Sequence, residues 1–347
     1  MDDGCRLRDG GGIESMRACF LRRCEPDQVR RVCGRSHTLS AFALPGGGVQ
    51  FCGNPRRWRG STYAYHPPVS ERIGTWLEIG DRVFTRRYRF FDQQIGVVLG
   101  GSDVLVIDTR VSERQGREIR DDLRELTHDP VTLVVNTHWH HDHTFGNHVF
   151  RPATIWGHER TPPRLREFGE RMRSELAEGL PELAADVTEV TIDPPDRVFS
   201  EHAALDVGDR RIDLRYLGRG HTDSDIVVEV RDAGVLFAGD LLEAGATPYF
   251  GDGYPLDWPE TVSRLAELAV GPVVPGHGEV GDRAFAEAQL SAFLEIARLG
   301  REVNAGRLTL DDAIAASPFD AATSREPLER TLAQLRGELD SGTSPVD

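Results

Sequence analysis

Lysine is missing from this chain: all 41 basic residues among its 347 are arginine. No binding surface would need to exclude lysine everywhere, so the absence reads as the trace of a GC-rich coding sequence. Long apolar runs are missing too. No stretch approaches the ~18–20 residues that span a bilayer, and charges break up the front of the chain where a signal peptide would carry its apolar centre. The expectation is a cytoplasmic protein with no membrane partner. Cysteine is scarce and confined to Cys5, Cys19, Cys24, Cys33 and Cys52. These contain no Cys-x-x-Cys pair, which argues against a zinc knuckle, and an odd count without an export signal argues against a disulfide framework.

Positive charge is thin beyond the front segment. Residues 1–60 carry 11 Arg against 6 acidic residues, the remainder carries 30 against 50, and the net charge is −15. An acidic body repels a polyanion, so a nuclease acting on long RNA or DNA is disfavoured. Residues 1–65, which hold every cysteine and the glycine runs 10–12 and 46–48, are expected to be disordered. They read either as an over-long start to the reading frame or as a regulatory or redox tail.

Metal-binding side chains, in contrast, recur in a telling order: His138, His140, Asp142 and His143, then His221, Asp240 and His277. The first four follow the apolar run 131–135, which reads as a short buried strand. In extended backbone, residues two apart point the same way, so His138 and His140 can face one ion. Asp142 and His143 fall where the chain turns, and can face a second. The later three also sit just past apolar runs, beside Gly220, Gly239, Gly276 and Gly278, which let the backbone turn tightly. Each of the three is a weak signal by itself. Together with the first cluster they are a strong one, because open sheets place their ligands at strand ends.

On these residues the chain resembles the metallo-β-lactamase-fold hydrolases over residues 73–278. The resemblance implies an α+β, four-layer αββα sandwich with the site at one edge of the paired sheets. It also implies that His138, His140 and His221 hold one metal, that Asp142, His143 and His277 hold the other, and that Asp240 bridges them. Asp108, in Ile107-Asp108-Thr109, resembles the family's strand-end aspartate that supports the ligand loop. Position 240 narrows the subfamily: the true β-lactamases of this fold generally carry Cys or Ser there, whereas glyoxalase-II-like, lactonase-like and phosphoesterase-like members carry aspartate.

Two divalent metals sharing a water lower its pKa toward neutrality, supply hydroxide, and polarise the oxygen under attack. Zinc suits these ligands, although iron and manganese share them. The expected activity is therefore hydrolysis of an ester, thioester, lactone or phosphoester of a small molecule, with Asp142 and Asp240 as the catalytic carboxylates. A mononuclear-iron persulfide dioxygenase using His138, His221 and Asp240 is the rival on the same fold, and a lactam hydrolase is a lesser one. A flavodiiron reductase fits less well: no flavin domain follows, and a glutamate usually stands at the place of His140. A non-catalytic binding protein would be expected to have lost ligands.

The remaining pattern fills in the sandwich. Residues 76–79 and 83–85 alternate as strands, 94–99 and 104–107 form a hairpin, and 112–126 reads as a capped helix. An Arg- and Glu-rich helical stretch at 159–190 either folds over the metals as a lid or packs on the outer layer. Strands are expected near 203–207, 211–217, 226–230 and 235–238, then a helix at 259–269 and further helices within 279–339, ahead of a flexible tail at 340–347. The aromatic-rich loop from Pro248 to Trp258 is a candidate substrate wall through Tyr249 and Trp258. His128, His141, His148, His158 and His202 have no motif partner and are assigned structural or surface roles.

Overall fold

The computed structural model describes residues 72–339 and the backbone of a short antiparallel pair, Phe42–Ala43 with Val49–Gln50. Otherwise the front segment 1–65 and the tail 340–347, expected to be disordered, lie outside the described residues.

Two runs of strands are separated by helices. The first run is β1 (Arg72–Gly80), β2 (Val83–Tyr88), β3 (Gln93–Gly100), β4 (Asp103–Ile107), β5 (Val131–Val135), β6 (Thr154–His158) and β7 (Arg197–Phe199). These lie side by side in chain order. β4 to β7 run parallel, so each step needs a crossover, and helix α1 (Glu113–Asp122) supplies the one between β4 and β5. Ser112 caps α1 by accepting a hydrogen bond from the Gln115 backbone at 3.3 Å. The second run is β8 (His202–Val207), β9 (Arg210–Tyr216), β10 (Ile226–Val230), β11 (Val235–Glu243) and β12 (Val273–His277). One rung, His277 opposite Gln93, joins β12 to β3 and so joins the two runs.

Alternation along the strands builds the layers. Leu105, Ile107, Val135, Ile226, Val228 and Val230 face inward to a core shared by both sheets. Their neighbours Val104, Val106 and Val134 face outward onto Ile119 and Leu123 of the α1 segment. On the far side Val227 faces Trp258, Val262 and Leu265 of α5 (Trp258–Leu268), with Phe293 and Ile296 of α6 (Arg283–Asn304) in the same cluster. The result is the αββα sandwich expected from the sequence.

The helical stretch after β6 forms α3 (Thr161–Gly179) and α4 (Ala184–Thr188). It buries Leu165, Met172 and Leu176 with Trp139, the residue between His138 and His140. Trp139 and Phe168 meet in a tilted pair with ring centres 5.6 Å apart. Arg164 adds a paired hydrogen bond to Asp223, just past His221. The stretch is therefore clamped to the loops that carry His140 and His221, and it also packs on the outer layer, where Arg114 of α1 donates to Asp186 of α4 and the Thr191 backbone donates to Glu113 at 3.1 Å. Beyond α6, α7 (Leu310–Ala315) and α8 (Arg325–Leu335) contribute Ala313 and Leu328 to the core cluster of α5 and α6.

Candidate metal centre

The seven candidates converge. One ligand atom from each of His138, His140, His221 and Asp240 lies within 4.8 Å of the others in that group, and the same holds for Asp142, His143 and His277. His138 and His140 extend from the end of β5, and the short turn α2 (His141–Thr144) swings Asp142 and His143 to the second group. His221 lies in the loop after β9, and His277 closes β12.

Asp240 departs from the expected strand end. β11 continues through it to Glu243, but the ladder to β12 is irregular on both sides of Gly239, whose φ is 54°. A side chain there would meet Thr137 at 2.7 Å, so glycine is required for both conformation and space. The irregularity turns Asp240 into the site. Its Oδ1 is 3.3 Å from His143 Nε2, while Oδ2 is 3.2 Å from His277 Nε2, 3.4 Å from His221 Nε2 and 3.7 Å from His138 Nε2. Gly276 leaves the room, since a Cβ there would sit 1.7 Å from Asp240 Oδ1.

Each imidazole is held by its other nitrogen. His143 Nδ1 meets Asp108 Oδ2 at 2.8 Å, and Asp108 also accepts from the Thr137 backbone and hydroxyl, both at 2.8 Å. Asp108 thus has the loop-supporting place expected of it. His221 Nδ1 is 3.1 Å from the Tyr249 carbonyl, His277 Nδ1 is 2.7 Å from the Phe91 carbonyl, and His138 Nδ1 is 3.2 Å from the Thr137 hydroxyl. His140 is reversed: Nδ1 faces the site, 2.8 Å from His221 Nε2, and Nε2 meets Asp252 Oδ2 at 3.1 Å. Such partners set ring orientation and tautomer in metal sites.

The atoms aimed inward are those a cation would satisfy. His138 Nε2, His143 Nε2 and Asp240 Oδ1 are buried and have no hydrogen-bond partner. Buried polar groups are rarely left so, and imidazole nitrogens converging with carboxylates form a divalent-metal donor set. The field is negative around the second group. Burial opposes charge on His143 and His277, yet Asp240 and Asp142 outweigh it and raise both well above the ordinary imidazole range. Burial instead lowers His138 and pushes His221 down to about 3.

Three acidic residues escaped the sequence reading. Glu243 accepts from the Tyr249 backbone at 3.1 Å, and burial, with Asp240 nearby, pushes it up to about 8. Asp225 accepts from the backbone and hydroxyl of Thr222, and burial pushes it up to about 7. Asp252 is the partner of His140. A second acid in β11, after Asp240 and the apolar pair Leu241-Leu242, was the available signal for Glu243; the other two had none.

The proposed aromatic wall divides. Trp258 is fully buried in the core and donates to the Leu241 carbonyl at 3.1 Å, so it cannot face a substrate. Tyr249 is 45% exposed, with its ring centre 6.1 Å from that of His140 and 6.0 Å from that of His221. Among the bystander histidines, His148 pairs with Asp193, His202 with Asp213, and His158 stacks on Tyr216.

The model of the metallo-beta-lactamase superfamily matches residues 88–304, more than half of the chain. The chain belongs to that superfamily. A curated relative, the metallo-beta-lactamase type 2 of Bacillus cereus, is 28% identical over 196 residues, covering 54% of this chain and 68% of the relative. The hydroxyacylglutathione hydrolase of Erythrobacter litoralis is also 28% identical, over 138 residues, covering 40% of this chain and 45% of the relative. Among solved structures, the metallo-beta-lactamase from Pontibacter korlensis has a TM-score of 0.53 at 22% identity, covering 63% of this chain and 98% of its own, which shows the shared fold. This superfamily member is a metal-dependent hydrolase. No helix among the described residues is long and apolar enough to cross a membrane.

Proposed function

We propose that the chain is a binuclear hydrolase, with zinc as its metal, acting on an ester, thioester or lactone of a small molecule. The observation that carries this reading is Asp240, whose two carboxylate oxygens reach toward both ligand groups. His138, His140 and His221 would hold one ion, Asp142, His143 and His277 the other, with Asp240 between them. When bound, the pair supplies an activated water and a Lewis acid for the developing oxyanion.

The residues set the rest. Asp142 Oδ2 is 3.4 Å from both His143 Nε2 and His277 Nε2, which supports a ligand role in the second group and a part in passing a proton to the leaving group. His141 beside it, pushed down to about 4 by burial, stays neutral and does not compete for that role. Tyr249 offers an exposed aromatic face for the substrate. The carboxylates of Asp108 and Asp252 beside the centre favour a neutral substrate over a phosphoester.

Lactam hydrolysis stands second, supported by the relatives named metallo-beta-lactamase and opposed by Asp240. A mononuclear-iron dioxygenase would leave Asp142, His143 and His277 without a task. The test is metal analysis of the purified chain, followed by turnover of thioesters, lactones, phosphodiesters and cephalosporins, with His140→Ala as the control. Two zinc ions per chain and His140-dependent hydrolysis are expected; a single iron with oxygen consumption on a persulfide would overturn the reading.

A further inference from the structure

The imidazole of His140 is steadied from far along the chain. Asp252 Oδ2, 3.1 Å from His140 Nε2, lies in the loop between β11 and α5, where the Gly253 backbone donates to the Phe250 carbonyl at 2.9 Å and the Tyr254 backbone to the Gly220 carbonyl at 2.8 Å. Helix α8 also holds this loop. Arg330 Nε donates to the Gly253 carbonyl at 2.8 Å, and Gln334 Oε1 accepts from the Leu256 backbone at 2.8 Å. Just before the helix, the hydroxyls of Thr323 and Thr247 meet at 2.7 Å. Positions 330 and 334 are spaced by four, so they share one face of the helix. That face meets the loop just past Asp252.

Arg330 is the informative member. It is 9% exposed, and its Nη1 is buried without a hydrogen-bond partner. An apolar side chain would have packed there at lower cost, because burying a guanidinium is expensive. A charged group retained against a loop carbonyl, beside a carboxylate that orients a ligand, fits a role in placing that loop.

We infer that helix α8 is part of the metal centre: through Arg330 and Gln334 it fixes the 250–256 loop so that Asp252 orients His140, which makes Asp252 a positioning residue for the first metal. This rests on the reading that His138, His140 and His221 hold an ion. Asp252 accepts a hydrogen bond from Nε2–H, selects the tautomer that leaves Nδ1 free to ligate, and raises its basicity. Loss of such a partner typically weakens metal binding 10–100-fold.

The test is metal affinity rather than turnover. The full chain is stripped with a chelator and titrated with Zn2+ against a chromophoric competitor, and the Co2+-loaded protein is read by absorption. Asp252→Ala is expected to lower the affinity for one of the two ions about 10–100-fold and leave the other unchanged, while Asp252→Asn, whose amide oxygen can still accept the hydrogen bond, loses less. Arg330→Met and the milder Gln334→Ala should lower the same affinity, and neither should add its full effect to Asp252→Ala. Circular dichroism in excess metal identifies variants that fold. The inference is overturned if folded Asp252→Ala binds both ions like the wild type, if it weakens both equally, or if the helix variants act independently of Asp252. A wild-type chain that binds fewer than two ions overturns the binuclear reading itself.

Discussion

His277 donates through Nδ1 to the carbonyl of Phe91 at 2.7 Å, and Phe91 holds a left-handed φ of 57°. The next residue, Asp92, has φ 56° and accepts from the Gly278 backbone at 2.8 Å. Two consecutive non-glycine residues in this region carry a conformational cost, of order 1–2 kcal/mol each. The cost is borne where two carbonyls meet the ligand segment 277–278. Phe91→Val, which adds β-branching to a left-handed position, is expected to lower stability by a further ~1 kcal/mol or more and to weaken the second metal; Phe91→Gly should keep that metal. Chemical denaturation with metal analysis checks both.

Asp142→Asn tests the proton-transfer role. If Asp142 passes the proton, kcat should fall about 10²–10⁴-fold. Metal content measured in the same samples separates lost chemistry from a lost ligand, and a variant with both ions and full turnover contradicts the assignment.

The two candidate wall residues should behave oppositely. Trp258→Ala removes a fully buried side chain from the core and should cost about 3–5 kcal/mol of stability. Tyr249→Ala, half-exposed, should leave stability within about 0.5 kcal/mol and raise KM instead. Thermal melts and steady-state kinetics on the pair distinguish core from contact.

His158 gives a pH dependence away from the metals. Its Nε2 donates to the Ser200 carbonyl at 2.9 Å, its Nδ1 accepts from the Arg160 backbone at 3.3 Å, and its ring stacks on Tyr216 with centres 4.3 Å apart. Burial is the main cause that lowers its pKa. The unfolded chain takes up this proton near pH 6.5 while the folded chain resists it, so stability from this group is complete above about 6.5 and is lost as pH falls through the lower folded value. His158→Gln should flatten the decline in denaturation midpoint between pH 7 and 5, and an unchanged slope would reject the assignment.

Much of this was legible in the residues because it is local. The alternation of 104–107 and 226–230 sorts itself into inner and outer faces, and the His138 to His143 cluster needs only a strand followed by a turn. The three-residue β7 is too short for any period to register. Tyr249 and Trp258 look alike in sequence, and only packing assigns one to the surface and the other to the core. Asp252 supports His140 across 112 positions, a contact that no spacing announces. The irregularity at Gly239 was also invisible, since it depends on the fit of one strand against Thr137.

The lone rung between the two sheet halves pairs His277 with Gln93, and Gln93 also donates its amide to the Asp142 carbonyl. The molecule's seam and its second ligand group are therefore the same place. An ion gripped there would be a rivet between halves, so chelation should loosen the protein along its midline before it frays at either outer layer.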